Sequence, residues 1–208
     1  MISNKHNFAF LHLPKCGGTS FLKAFKNSWD DRRFKDGHPY LTTDKYNYIL
    51  RRSPKIIVNL EISRFKLFTM VRNPYSRVVS AFFYLANNKL SFREDRKIRD
   101  KLNLKHLDFK EFVKKNLLSV DYMHFNEIID NYIQTEDLKK IDYIGKVENM
   151  ADDFGNICKL IEQPNSKLLH VNKSKHLDYT HYYDEESKNI VTQRYAKDIE
   201  YFGYEFGE

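Results

Sequence analysis

The sequence predicts an α/β domain, a central parallel β-sheet flanked by helices. Three observations carry this. Apolar runs of strand length stand at Phe8–Leu11, Lys66–Val71 and Ile141–Ile144. Segments of helical period separate them. The first two runs each end in a turn that opens directly into a helix, and such strand–turn–helix units join strands in parallel.

Taken in order, Phe8 to about Ser28 reads as a βαβ opening, with Phe21, Leu22 and Phe25 on one helical face. A polar segment with Asp36-Gly37-His38-Pro39-Tyr40 follows, then a short strand near Ile56–Asn59. After the Lys66 strand, Asn73 suits an N-cap and Pro74 the first helical position. Val78, Val79, Phe82, Phe83 and Ala86 fall on one face of that helix; Ser76, Arg77, Ser80 and Tyr84 fall on another. Lys89–Lys105 is a charge run of seven Lys or Arg against three acids, read as a solvated helix or an acceptor-binding lid. Helices are predicted over Asp108–Leu118 and Asp121–Ile133. Met150, Phe154, Ile157 and Ile161 mark a helix ending near Pro164, and Asp184, Glu185 and Glu186 place acids at the positive end of the last one.

Two turns carry chemistry. Leu11-His12-Leu13-Pro14-Lys15-Cys16-Gly17-Gly18-Thr19-Ser20 joins the first strand to its helix. A glycine turn there brings backbone N–H groups and a positive helix end up to an anion. Lys15 adds a point charge, and Thr19 and Ser20 add hydroxyl donors. The turn is not a Walker loop, which needs an earlier glycine and a lysine after the glycines. In Arg72-Asn73-Pro74-Tyr75-Ser76-Arg77-Val78-Val79-Ser80, a forked guanidinium and a hydroxyl can hold a second phosphate. Open α/β sheets bind ligands at the carboxyl ends of their strands, where both turns lie. Adenosine 3′,5′-bisphosphate has a matching charge layout.

Pro14–Ser20 resembles the 5′-phosphosulfate loop of sulfotransferases that use 3′-phosphoadenosine 5′-phosphosulfate (PAPS). Arg72–Tyr84 is similar to their 3′-phosphate motif. The likeness continues through Tyr143–Met150, His170–Ser174 and Phe202-Gly203-Tyr204, over nearly the whole chain. It is strongest to the carbohydrate branch, the heparan and dermatan 2-O-sulfotransferases and their bacterial relatives.

That resemblance implies a P-loop-like sulfotransferase fold, PAPS as donor, PAP as product, and a hydroxyl acceptor on an oligo- or polysaccharide. Lys15, Cys16, Gly17, Gly18, Thr19 and Ser20 would bind the 5′ phosphate, and Arg72 and Ser80 the 3′ phosphate. Lys173 and Ser174 resemble a loop closing over the nucleotide. Lys15 is the leaving-group stabiliser. In-line transfer needs a general base, and histidine suits neutral pH. His38, in Gly37-His38-Pro39, matches the family's glycine–histidine element. His124 is the alternative, with a structural or acceptor-contacting role open to it. Cys16 stands where threonine is usual. It is either a reactive thiol at a helix N-terminus or a buried inert one.

The 208 residues read as a single domain, 1–208. With 41% apolar residues general disorder is excluded, and two cysteines make neither a disulfide framework nor a zinc site. No metal is expected. The absence of a spanning apolar run or signal peptide predicts a cytoplasmic protein. The net charge of +7 asks for an anionic partner. No nucleic-acid-binding signature is visible, so nucleic acid is not expected. The competing classes are a small P-loop nucleotide kinase and a non-enzymatic polyanion or nucleic-acid-binding module. The first lacks its lysine; the second would bind long polyanions without nucleotide.

Overall fold

The computed structural model describes residues 2–3, 5–28, 65–87, 90–163, 166–168 and 177–208. They form two compact units: residues 1–71 with 128–173, and residues 72–127 with 174–208.

The first unit is built on a four-stranded sheet in the order β1 (Ile2–Ser3), β2 (Phe8–Leu11), β3 (Lys66–Val71), β4 (Tyr143–Lys146). The β1 strand is antiparallel to β2, while β2, β3 and β4 are mutually parallel. Leu11 pairs with Thr69 and Val71 with Lys146, so the three parallel strands end close to one level. The Thr69 hydroxyl donates to the Leu11 carbonyl at 2.7 Å and locks that register. Helix α1 (Gly18–Ala24) covers the sheet through aromatic packing. Phe21 and Phe25 meet Phe68 and the helical Phe154, with Phe10 and Phe68 stacked at 5.0 Å. This is the parallel sheet with flanking helices that the strand–turn–helix pattern predicts, and the β3 bounds agree with it. The β4 strand starts two residues later than its apolar run, and the strand expected near Ile56–Asn59 lies outside the described residues.

The second unit is mainly helical. Helix α2 (Pro74–Ala86) begins as predicted, with the Asn73 side chain accepting from Tyr75 N–H at 3.1 Å and Pro74 at the first position. Its two-faced pattern does not translate into a wet face, because every residue from Pro74 to Phe82 is buried. Helix α3 (Arg93–Lys101) lies within the charge run. It is solvated on most sides, yet Asp95 and Arg99 are buried. Asp108 caps α4 (Phe109–Phe112), which continues as a π-helical turn over Val113–Leu117.

The helix expected over Asp121–Ile133 is absent; the segment runs in turns from one unit into the other. Its carbonyls serve other donors. The Tyr195 hydroxyl donates to Phe125 C=O at 2.5 Å, and Arg77 Nη2 to Asn126 C=O at 2.8 Å. The Asn126 side chain accepts from Tyr122 N–H at 3.0 Å. Side-chain bonds of this kind compete with the helical ladder.

Helix α5 (Met150–Leu160) returns to the first unit, burying Phe154, Ile157 and Cys158. In the second unit Asp184 and Ser187 form a capping box for α6 (Glu185–Arg194), and α7 (Ala196–Phe202) is the last helix. Arg77 is fully buried there, with Asp198 at 3.7 Å and the Tyr195 ring at 5.2 Å. Burial pushes the Tyr195 hydroxyl up to about 12, against the pull of Arg77 and Arg194, so it remains a donor.

Candidate active site

In the first unit the 12–17 turn leaves the carboxyl end of β2. Cys16 N–H bonds to Leu13 C=O at 3.3 Å, and Ser20 N–H to Gly17 C=O at 3.0 Å. Backbone φ is +66° at Lys15 and +74° at Gly17, with Cys16 between them on the negative side. Alternation of this kind is the backbone pattern from which anion-binding concavities are built, although Cys16 N–H here is already turned to Leu13 C=O. Glycine adopts positive φ without penalty, whereas a lysine there costs about 1–2 kcal/mol. Strain at Lys15 is therefore held by its surroundings, a pattern typical of functional turns.

Gly18 has a different reason to be glycine. A Cβ built on it would lie 1.9 Å from His12 Cδ2 and 2.1 Å from Nε2, so the imidazole packs directly against the backbone. A Cβ on Gly17 would stand 2.4 Å from Met150 Cε, at the start of α5. Asp153 steadies that corner. It accepts from Lys146 N–H at 2.6 Å and from the Tyr143 hydroxyl at 2.7 Å. Burial, then the bond to Asp153, raises the Tyr143 hydroxyl above its ordinary value.

The first turn of α1 has no acidic residue and no side-chain cap, so it brings no negative charge of its own to the positive helix end. Lys15, Gly17 and Thr19 are half-buried; Cys16, Gly18 and Ser20 are buried. The Cys16 thiol is 1% exposed and donates to Pro14 C=O at 3.5 Å, which favours the inert reading of this residue.

In the second unit Arg72, Ser76, Ser80 and Tyr84 recur every four residues and so share one stripe along α2. Arg72 Nε donates to Ser76 Oγ at 2.9 Å, and Ser76 and Ser80 are both buried. The stripe ends on a buried carboxylate. Tyr84 donates to Asp95 Oδ2 at 2.5 Å, Tyr122 donates to Oδ1, and His124 Nε2 lies 3.5 Å from Oδ1. The His124 ring stands edge-on to Tyr84 at 5.1 Å and to Tyr122 at 5.5 Å. Burial alone would raise the Asp95 carboxyl. The bonds from His124, Tyr122 and Tyr84 outweigh it and hold the group at about 2. Asp95 is thus an ionised anchor that ties α3 to α2.

Of the residues singled out in the sequence, the Lys15–Ser20 set belongs to the first unit, and Arg72 and Ser80 both belong to the second, with Ser76 rather than Ser80 bonded to Arg72. His38, Lys173 and Ser174 lie outside the described residues. His124 is 7% exposed and belongs to the Asp95 group. The sequence assigned no site role to Ser76, His12, Met150 or Asp95. The four-residue spacing of Arg72, Ser76, Ser80 and Tyr84 was the available signal for the first. Among the described residues no group of three His, Cys, Asp or Glu is placed to hold a metal, and no helix is long and apolar enough to cross a membrane.

A family model described as the sulfotransferase family matches residues 1–205. The chain belongs to the sulfotransferase family, whose enzymes move a sulfuryl group from a sulfate donor to a hydroxyl acceptor. An uncharacterized protein of Archaeoglobus fulgidus is 25% identical over 115 residues, covering 54% of this chain and 81% of its own length. No solved structure matches the chain significantly.

Proposed function

We propose that this protein is a PAPS-dependent sulfotransferase that sulfates a hydroxyl of an oligo- or polysaccharide, acting as one domain over residues 1–208. The carrying observation is the turn after β2, with φ alternating around a strained Lys15. The β3 strand pairs in parallel with β2, and in sequence the Arg72–Ser80 motif follows β3 as the Pro14–Ser20 turn follows β2. In this reading the Pro14–Ser20 turn binds the 5′ phosphate of the donor through backbone N–H groups and the Thr19 and Ser20 hydroxyls. Arg72 and Ser80 bind its 3′ phosphate, and Lys173 and Ser174 close over the nucleotide.

Sulfuryl transfer asks little covalent work of the protein, so positioning and charge stabilisation carry the rate, by analogy with phosphoryl transfer. Lys15 neutralises the charge that grows on the leaving phosphate. His38 removes the proton of the acceptor hydroxyl. His124, packed beside the Asp95 carboxylate, fits the structural of its two roles better. The basic charge balance favours an anionic glycan as acceptor, and PAP is the product released.

The test is sulfuryl transfer from labelled PAPS to a panel of acidic and neutral polysaccharides, with Lys15→Ala and His38→Gln alongside wild type. Lys15→Ala should lose at least about a hundredfold in turnover with far less loss of PAP affinity, as removal of one charge-stabilising group does elsewhere. Equal losses in both would contradict its role, and near-normal turnover of His38→Gln would move the base to His124.

A further inference from the structure

The Arg72–Ser80 end of α2 is tied to a segment far away in sequence. Asn73 Oδ1 caps the helix, while its Nδ2 donates to Glu205 C=O at 2.8 Å. Tyr75, two residues on, has its ring 5.1 Å from Phe206 and 5.8 Å from Tyr183, both edge-on. Its carbonyl accepts from the Tyr183 hydroxyl at 2.9 Å, and its own hydroxyl meets Thr192 Oγ1 at 2.7 Å.

Phe206 sits inside a box. The rings of Tyr75, Tyr179 and Tyr183 stand edge-on to it at 5.1, 5.7 and 5.4 Å, and Lys188 Nζ lies 5.1 Å above it. The backbone around it is fixed as well. Gly207, with φ +100°, donates its N–H to the Tyr179 hydroxyl at 2.7 Å, and that hydroxyl donates to Glu208 C=O at 3.1 Å. Glu205 N–H donates to the Glu208 carboxylate at 3.0 Å. All of these residues belong to the second unit.

We propose that residues 203–208 are a positioning element for the phosphate-binding end of α2, with Phe206 as its anchor. The proposal rests on the reading of Arg72 and Ser80 as the 3′-phosphate group. Two of the four residues that open the Arg72-Asn73-Pro74-Tyr75 motif turn their side chains to this segment, Asn73 by its amide and Tyr75 by its ring. The entry angle of α2 sets where Arg72 and Ser76 stand, and loss of the Phe206 anchor frees that angle. A displacement of about 1 Å at such a site is enough to cost a large factor in ligand recognition.

The experiment is calorimetric titration of wild type, Phe206→Ala, Phe206→Leu and Tyr179→Phe with adenosine 3′,5′-bisphosphate and with adenosine 5′-phosphate, below each variant's own melting temperature. The affinity ratio of the two nucleotides reads the 3′ phosphate alone. The ratio should fall about tenfold in Phe206→Ala, equivalent to 1.4 kcal/mol, while 5′-phosphate affinity stays within about twofold. Phe206→Leu should recover most of the ratio, and Tyr179→Phe should show a smaller loss in the same direction. A selective wild type with an unchanged ratio in Phe206→Ala overturns the proposal alone, as does a parallel fall in both affinities. A wild type that does not distinguish the nucleotides overturns the nucleotide reading and the proposal with it.

Discussion

Gly18→Ala probes the turn proposed to bind the 5′ phosphate with a single carbon. Gly18 does not carry a positive φ, so alanine suits its backbone and the perturbation is steric. The new Cβ would lie 1.9 Å from His12 Cδ2, about 1.5 Å inside ordinary contact at 3.4 Å. An imidazole ring cannot yield as the end of a flexible chain does, so either His12 is expelled or the turn shifts. Overpacking of this kind costs about 1–3 kcal/mol. At about 2 kcal/mol, affinity for adenosine 3′,5′-bisphosphate falls about thirtyfold if the strain appears in the turn. If it appears as lost stability instead, the melting temperature drops by about 4–8 °C, at 2–4 °C per kcal/mol for a chain of this size. Titration and thermal melts together separate the two. The double variant His12→Ala/Gly18→Ala should match His12→Ala alone, because the clashing ring is gone. Wild-type binding and stability in Gly18→Ala, or a double variant as damaged as the single one, would refute the packing argument.

Two further substitutions test the second unit. The Asp95 carboxyl is held at about 2 against an ordinary 3.8, so its contribution is complete above pH 3.8 and is lost as pH falls through about 2. This shift is worth about 2 kcal/mol. Asp95→Asn should lower urea stability at pH 7 by about that amount and flatten the acid limb between pH 4 and 2. A variant with the wild-type acid limb would remove Asp95 from the account. Arg77→Met leaves the buried Asp198 carboxylate without its countercharge and should cost about 3–5 kcal/mol. Arg77→Met/Asp198→Leu should recover much of it in the same unfolding assay, and no recovery would mean the ion pair is not the source of the loss.

Much of this architecture was legible in the residues. The apolar run Lys66–Val71, the Asn73 cap and Pro74 specify a strand and a helix start by local chemistry alone, and both stand where they point. The turns after β2 and β3 were legible for the same reason, since glycines at one strand end and Asn-Pro at the other mark the change from strand to helix. What was not legible depends on contacts distant in sequence. Asp121–Ile133 has a helical pattern, but donors from Arg77 and Tyr195 take its carbonyls. Asp95 looks like one acid among many bases until Tyr84 and Tyr122 close on it. Ser80 sits in a stretch of helix buried from Pro74 to Phe82, which periodicity in one helix cannot reveal. Gly18 reads as a turn glycine, yet its requirement comes from a ring six residues earlier.

The most direct test of the central claim is thermal stabilisation of the whole chain by adenosine 3′,5′-bisphosphate, ADP and ATP at matched concentration. A ligand at about 100 times its dissociation constant adds about 2.7 kcal/mol, or about 5–10 °C for a chain of this size. That shift is expected for the 3′,5′-bisphosphate, with little for ADP or ATP. Preference for ATP, or no response to any of the three, would contradict it and favour a nucleotide kinase or a polyanion-binding module instead.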